Sequence, residues 1–209
     1  MERAPFAPVA GIVLAGGRSR RMGGGDKCLL PLAGRPLLAH VVERLAPQVT
    51  ALAIAANGDP GRFATFHLPV MADGVAGFAG PLAGILAGME WAATALPEVR
   101  YVASVPGDGP FLPRDLVSRL AAAVAAGADI ACAASRGRTH PVYALLPVTL
   151  RHALRTALVD EGMRQVEAWT ARYRRAVVEF AALPVDPFFN INRPEDLAEA
   201  AALLVRAPG

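Results

Sequence analysis

The run Val9-Ala10-Gly11-Ile12-Val13-Leu14-Ala15 is apolar throughout and stops at Gly16-Gly17. A short strand with no polar alternation is buried on both faces. Burial on both faces demands helices above and below the sheet, so this stretch points to an α/β architecture. The loop that follows holds Gly23, Gly24 and Gly25, and sets Arg18, Arg20, Arg21 and Lys27 against one acid, Asp26. Glycine lets backbone N–H groups approach a ligand with no Cβ in the way. A buried strand feeding a glycine-rich, cation-rich loop is a phosphate cradle in physical terms. It is not a P-loop, because Asp26 precedes Lys27 and Cys28 follows it, and no G-x-G-x-x-G register opens a helix here.

Composition narrows the rest. A chain of 209 residues with 54% hydrophobic and 19% charged residues can build a substantial core, which excludes disorder as its main state. The formal charge of +3 is too small to argue for nucleic acid. The local cation cluster speaks instead for a small polyanion. Cys28 and Cys132 make no disulfide framework and no zinc spacing, and read as small core residues. No stretch has the layout of a signal peptide, and no apolar run spans a bilayer without polar interruption. The expectation is a cytoplasmic protein with no membrane and no nucleic-acid partner.

Along the chain, strands are expected at Val9–Ala15, Val49–Ala55, Leu68–Met71, Tyr101–Val105, Ile130–Ala134, Val142–Leu146 and Ala176–Phe180, with a brief pairing at Phe188–Ile191. Helices are expected from Pro36 to about Ala46, over Pro60–Phe66, from Pro81, from Pro113 to about Gly127, over Pro147–Val159 and Gly162–Tyr173, and after Asn192. Ser135–Pro141 reads as a basic turn. Alternating strands and helices indicate one α/β domain with a mostly parallel twisted sheet and helices on both faces. Ligands of such sheets lie beyond the carboxyl ends of the strands. Gly16, Asn57, Asp73 and Asp108 all stand just after expected strands.

Asp108 sits in Pro106-Gly107-Asp108-Gly109-Pro110. It is either a turn aspartate satisfying nearby N–H groups or a carboxylate for Mg²⁺, a hard cation that uses one or two carboxylates plus phosphate oxygens and water. Asn57 and Asp73 each read as turn residues or as ligand contacts, Asn57 because an amide offers a donor and an acceptor together. Asn192 reads as a helix cap or a site residue; Asn190 has no capping role. Arg136, Arg138 and His140 form a cationic group suited to docking an anion.

Leu14-Ala15-Gly16-Gly17, Ser19, Arg21-Met22-Gly23 and Lys27 stand in the order of a signature that resembles that of the nucleotidyltransferases. The segments Val70–Asp73, Gly80–Ile85, Val105–Pro113 and Asn190–Glu195 continue the likeness, which is greatest to the molybdenum cofactor guanylyltransferases. The resemblance implies a Rossmann-like nucleotidyltransferase fold, with a nucleotide-binding part at about 9–110 and an acceptor-binding part at about 111–205. It implies GMP transfer from GTP to molybdenum-molybdopterin, with molybdoenzyme apoproteins or their chaperones receiving the product. It assigns Leu14, Ala15, Gly16, Gly17, Lys27, Asn57, Asp73 and Asp108 to the nucleotide, Arg21, Lys27 and Asp108 to catalysis, and Asp108 to Mg²⁺. Arg136, Arg138, His140, Asn190 and Asn192 are left for the acceptor. Gly16 favours guanine over the Leu-Ala-Ala-Gly of the CTP-using relatives. A cytidylyltransferase and a non-catalytic nucleotide-binding adaptor are the rival readings.

Overall fold

The computed structural model describes residues 7–16, 26–75 and 80–206. In chain order they form β1 (Val9–Leu14), β2 (Pro31–Leu32), β3 (Arg35–Pro36), α1 (Leu37–Leu45), β4 (Ala51–Ala55), β5 (Val70–Met71), α2 (Pro81–Ala95) and β6 (Tyr101–Pro106). There follow α3 (Leu116–Ala125), β7 (Ile130–Ser135), β8 (Arg138–Pro147), α4 (Arg151–Val159), α5 (Val166–Thr170), β9 (Arg175–Glu179) and α6 (Pro194–Arg206). Among the described residues the main sheet has seven strands in the order β5-β4-β1-β6-β8-β7-β9. All are parallel except β8, which runs antiparallel to both neighbours. The expected α/β domain with its mostly parallel sheet is what forms.

β1 pairs with β4 on one side and β6 on the other, and its apolar run is buried as expected of a central strand. One face of the sheet packs on α1 and α3 through Leu38, Val41, Leu116 and Leu120. The other packs on α2, α4 and α5 through Leu82, Ile85, Leu154 and Trp169. α6 closes the end of the molecule over the β2–β3 hairpin, with Leu32, Leu37, Ile191 and Ala200 in a small core of their own.

α2 lies unusually close to the sheet. A Cβ on Gly88 would stand 2.8 Å from Ile12 Cγ1, and one on Gly84 would stand 2.9 Å from Leu14 Cδ2. The missing side chains let the helix descend onto β1. That approach carries the first turn of α2 to the carboxyl edge of the sheet.

Three expectations are corrected. The basic turn is only Arg136-Gly137, whose positive φ values of 52° and 71° are those of a tight two-residue hairpin. Arg138, Thr139 and His140 are already strand, paired with Ser135, Ala134 and Ala133. Pro141 has no N–H to continue that ladder, and Pro141-Val142-Tyr143 bulge out before pairing resumes at Ala144. The helix expected over Gly162–Tyr173 shrinks to Val166–Thr170. Met163 N–H closes back on Ala157 O and Gly162 turns with φ 67°, so one helical turn suffices to bury Val166 and Trp169. Phe188–Ile191 makes no strand; its Ile191 N–H donates to Asp108 O at 3.1 Å instead.

Candidate active site

A cavity of about 400 Å³ opens at the carboxyl ends of β1, β4 and β6. Leu14, Ala15 and Gly16 line it from β1, Asn57 from the end of β4, Asp73 from the end of β5, and Asp108 from the end of β6. Gly80, Pro81 and Gly84 bring the start of α2 to its wall, and Lys27 and Asn190 complete the polar side. The ladder runs past the formal strand ends and holds these loops in place. Ala15 N–H donates to Ala55 O at 2.9 Å, Ala56 N–H to Met71 O at 2.9 Å, and Gly107 N–H to Leu14 O at 3.0 Å.

Leu14, Ala15, Gly16, Lys27, Asn57, Asp73, Asp108 and Asn190 are therefore gathered on one cavity, although they come from six separated stretches of chain. Gly17 and Arg21 lie outside the described residues. Asn192 stands just behind the wall, where its Oδ1 accepts from Lys27 Nζ at 2.8 Å. It is not the helix cap. Asp196 reaches back to accept from the N–H groups of Asn192 and Arg193 at 2.7 and 2.9 Å, which frees the Asn192 side chain for Lys27.

Lys27 also forms an ion pair with Asp108 through Oδ2. Asp108 Oδ1 is buried and has no hydrogen-bond partner among the described residues. A buried carboxylate oxygen without a partner is costly unless something positive or hydrogen-bonding meets it. Among the described residues no three His, Cys, Asp or Glu side chains cluster as a metal cage. One carboxylate with an unpartnered oxygen in a cavity wall suits a cation such as Mg²⁺, which takes most of its shell from phosphate and water.

Asn57 and Asp73 are bound to each other. The amide donates through Nδ2 to Asp73 Oδ2 at 2.8 Å and accepts the Asp73 N–H on Oδ1 at 2.8 Å. Both ends of the amide are thus occupied. Burial raises the Asp73 carboxyl above the ordinary 3.8, and the hydrogen bond from Asn57 pulls it partly back.

The group after β7 is arranged differently from the expected cationic dock. Among the described residues Arg136, Arg138 and His140 do not line the cavity. Arg136 is exposed and pairs at 3.6 Å with Asp186; Arg138 is exposed. His140 Nε2 lies 2.9 Å from Ser135 Oγ, which itself donates to Asp186 Oδ1 at 2.9 Å. With its own proton given to Asp186, the serine oxygen accepts from His140 Nε2–H. The imidazole packs 4.8 Å from the Phe188 ring, and burial lowers its pKa from 6.5. Burial thus disfavours its charged form, and the arginines carry the charge on this turn. The Ser135–His140 contact was invisible in the sequence, but Ser135 is 1% exposed and supplies no nucleophile. Cys28 in the cavity wall is equally inert, its thiol pushed up to about 12 by burial and then by Asp26 and Asp108.

Sequence reasoning missed Arg62. It forms an ion pair with Asp26, and its two Nη atoms donate to Asp59 O and Asn57 O at 2.5 Å each. It thereby ties the residue before Lys27 to the backbone of Asn57. Nothing in the local pattern of Asp59–Phe66 signals the ion pair, because Asp26 is brought to Arg62 by the tertiary fold.

A ligand-binding edge of this kind, with a lysine, a carboxylate oxygen that has no partner among the described residues and the start of α2 around one cavity, suits an α/β protein of the nucleotidyltransferase class. Residues 11–176 match the model of the MobA-like NTP transferase domain. The molybdenum cofactor guanylyltransferase of Rhodopseudomonas palustris (strain HaA2) is 58% identical over 205 residues, which are 98% of this chain and 95% of that protein. The chain belongs to the molybdenum cofactor guanylyltransferase family. Solved structures share its fold. The molybdopterin-guanine dinucleotide biosynthesis protein A of Archaeoglobus fulgidus superposes with a TM-score of 0.72 at 23% identity, over 95% of this chain and all of that one. A Mycobacterium tuberculosis protein solved in complex with manganese superposes with a TM-score of 0.64 at 18% identity, over 94% of this chain and 99% of that one.

Proposed function

We propose that the chain transfers GMP from GTP to molybdenum-bound molybdopterin, giving the guanine dinucleotide cofactor and pyrophosphate. The observation that carries the reading is the Lys27–Asp108 pair on a cavity wall, in a chain 58% identical to a guanylyltransferase.

In this reaction an oxygen of the acceptor's terminal phosphate forms a bond to the α-phosphorus of GTP. The bond from that phosphorus to the oxygen bridging to the β-phosphate breaks, and pyrophosphate leaves with the electron pair. The acceptor phosphate is already largely dianionic near neutral pH, since its second pKa is about 6. No side chain is needed as a general base. His140 does not line the cavity, and the Cys28 thiol, pushed up to about 12, keeps its proton, so neither is placed to act as one. What remains is placement and charge neutralisation.

Lys27 is the cation for the triphosphate, and Asn192 holds its ammonium from behind. Asp108 would hold Mg²⁺ through the oxygen that has no partner among the described residues. Bound there, the ion would supply positive charge to the phosphate oxygens. Arg21 is assigned to the charge developing on pyrophosphate. Asp73 accepts hydrogen bonds from the nucleoside, and Asn57 is reassigned from base contact to holding Asp73. An ionised carboxylate is acceptor-only, which complements the adjacent N1–H and N2–H₂ donors of guanine better than the acceptor-rich edge of cytosine.

Asn190 and Asn192 face the acceptor side, and the exposed Arg136 and Arg138 extend it. The sheet order supports that extension, because β7 ends at the same edge as β6, with only β8 between them. The two free, buried cysteines suit the reducing cytoplasm, where the product would pass to molybdoenzyme apoproteins or their chaperones. The test is the mass of the product formed from equimolar GTP and CTP with molybdenum-molybdopterin. Guanylylated cofactor is expected; cytidylylated cofactor would overturn the substrate assignment.

A further inference from the structure

We propose that Tyr143 is a positioning residue for the transfer, acting through Asn190 on the loop that carries Asp108. Tyr143 lies in the bulge of β8, is 1% exposed, and donates its hydroxyl to Asn190 Oδ1 at 3.0 Å. The bulge is held from β6, where the buried Ser104 Oγ donates to Val142 O at 2.6 Å. Tyr143 is thus fixed before anything binds.

Gly109 shows how tightly the hydroxyl is built in. A Cβ on Gly109 would overlap the Tyr143 hydroxyl and come within 3.0 Å of Asn190 Oδ1. Gly109 has no positive φ, so glycine is needed there for space and not for backbone conformation. The residue next to Asp108 therefore abuts the Tyr143–Asn190 hydrogen bond directly. From Asn190 the contacts close a ring. Asn192 Nδ2 donates to Asn190 O at 3.4 Å, Lys27 Nζ donates to Asn192 Oδ1, and Lys27 pairs with Asp108. Ile191 N–H donates to Asp108 O across the middle.

Two consequences follow from the chemistry of the amide. The phenol's bond to Oδ1 fixes the orientation of the amide, whose Nδ2 hydrogens are the donors Asn190 can offer a phosphate oxygen in the cavity it lines. Without the phenol, the amide is free to rotate and present either end. Burial, reinforced by Asp108 and Asp186, raises the Tyr143 pKa well above 10.0, so the hydroxyl keeps its proton and remains a donor.

The inference rests on the transfer reaction proposed above, and the experiment separates the two. Wild type, Tyr143→Phe, Asn190→Ala and the double variant are compared for kcat, for GTP KM and for thermal melting. Misplacing a transition-state donor costs on the order of tenfold to a hundredfold in rate. Tyr143→Phe should lower kcat by about that much, with GTP KM changed less than about twofold. In the Asn190→Ala background the same change should have no further effect on kcat. An early melt with unchanged kcat, or an equal loss in both backgrounds, would overturn the inference. The Asn190 side-chain amide NMR signals add a readout independent of turnover. If they shift in Tyr143→Phe while wild type transfers no GMP, the functional reading fails alone. If they stay put, the positioning role fails alone.

Discussion

Asn57 and Asp73 exchange two hydrogen bonds of 2.8 Å across sixteen residues of chain, one from side chain to side chain and one from backbone to side chain. The pair locks a carboxylate at the cavity while leaving its other oxygen free of the amide. An amide engaged at both ends has little left to read a base, which is why the nucleoside contact is proposed for Asp73.

The first prediction is a pH dependence. Burial holds the Asp73 pKa above 3.8. As pH falls through that raised value the carboxylate gains a proton and stops being acceptor-only, so GTP KM should rise. The acid limb begins above 3.8, and Asp73→Asn should abolish it, leaving only GTP's own titration. An unchanged limb in Asp73→Asn would remove Asp73 from nucleoside recognition. Stability carries the opposite sense. The folded state binds this proton more tightly than the unfolded state, so the contribution of Asp73 declines as pH rises from 3.8 through the folded value.

The packing of α2 gives a second prediction. Gly88→Ala gains about 1 kcal/mol of helix propensity. It also drives a Cβ to 2.8 Å from Cγ1 and 2.9 Å from Cβ of the fully buried Ile12. Overpacking of that kind costs about 1–3 kcal/mol. Ile12 sits in the central strand and has nowhere to move, so the upper part of that range should apply. A net loss of about 1–2 kcal/mol is expected in urea unfolding. A variant more stable than wild type would mean that α2 can lift from the sheet at no cost.

A third prediction separates the two substrates. Arg138→Ala should weaken molybdopterin and leave GTP affinity nearly unchanged; Lys27→Ala should do the reverse. Arg138 is exposed, so its contact is worth about 0.2–1 kcal/mol if it stays wet and about 1.5–3 if docking dries it. Titrating both ligands against both variants gives the four affinities. A loss of GTP affinity in Arg138→Ala with normal molybdopterin binding would assign the arginine to the wrong substrate.

The sheet was legible wherever apolar runs met glycine or asparagine, because burial on both faces writes itself into composition. β1, β4, β6 and β7 fell within two residues of expectation for that reason. Where one partner's position decided the outcome, the pattern was silent. Gly162–Tyr173 has helical periodicity, yet most of it is not helical, because one turn already buries Trp169. The arginines around Gly137 look like a loop cluster, but the tight turn at Arg136-Gly137 sends Arg138 and His140 into a strand. The gathering of Gly16, Asn57, Asp73 and Asp108 was readable from strand ends alone. The supports behind them were not. Arg62, Tyr143 and Asp196 act through partners 3 to 47 residues distant, and the longer of these contacts leave no mark on local spacing.

The central claim is that the Asp108 carboxylate, paired with Lys27 and without a partner at Oδ1 among the described residues, organises charge for GMP transfer. Asp108→Asn keeps the size and removes the charge. The direct measurement is single-turnover GMP transfer to molybdenum-molybdopterin, followed as pyrophosphate release in the purified, folded variant. Losing an electrostatic group of this sort raises the barrier by about 2.7–4 kcal/mol, so the rate should fall by about a hundredfold to a thousandfold while melting stays close to wild type. Near-normal pyrophosphate release from Asp108→Asn would contradict the account.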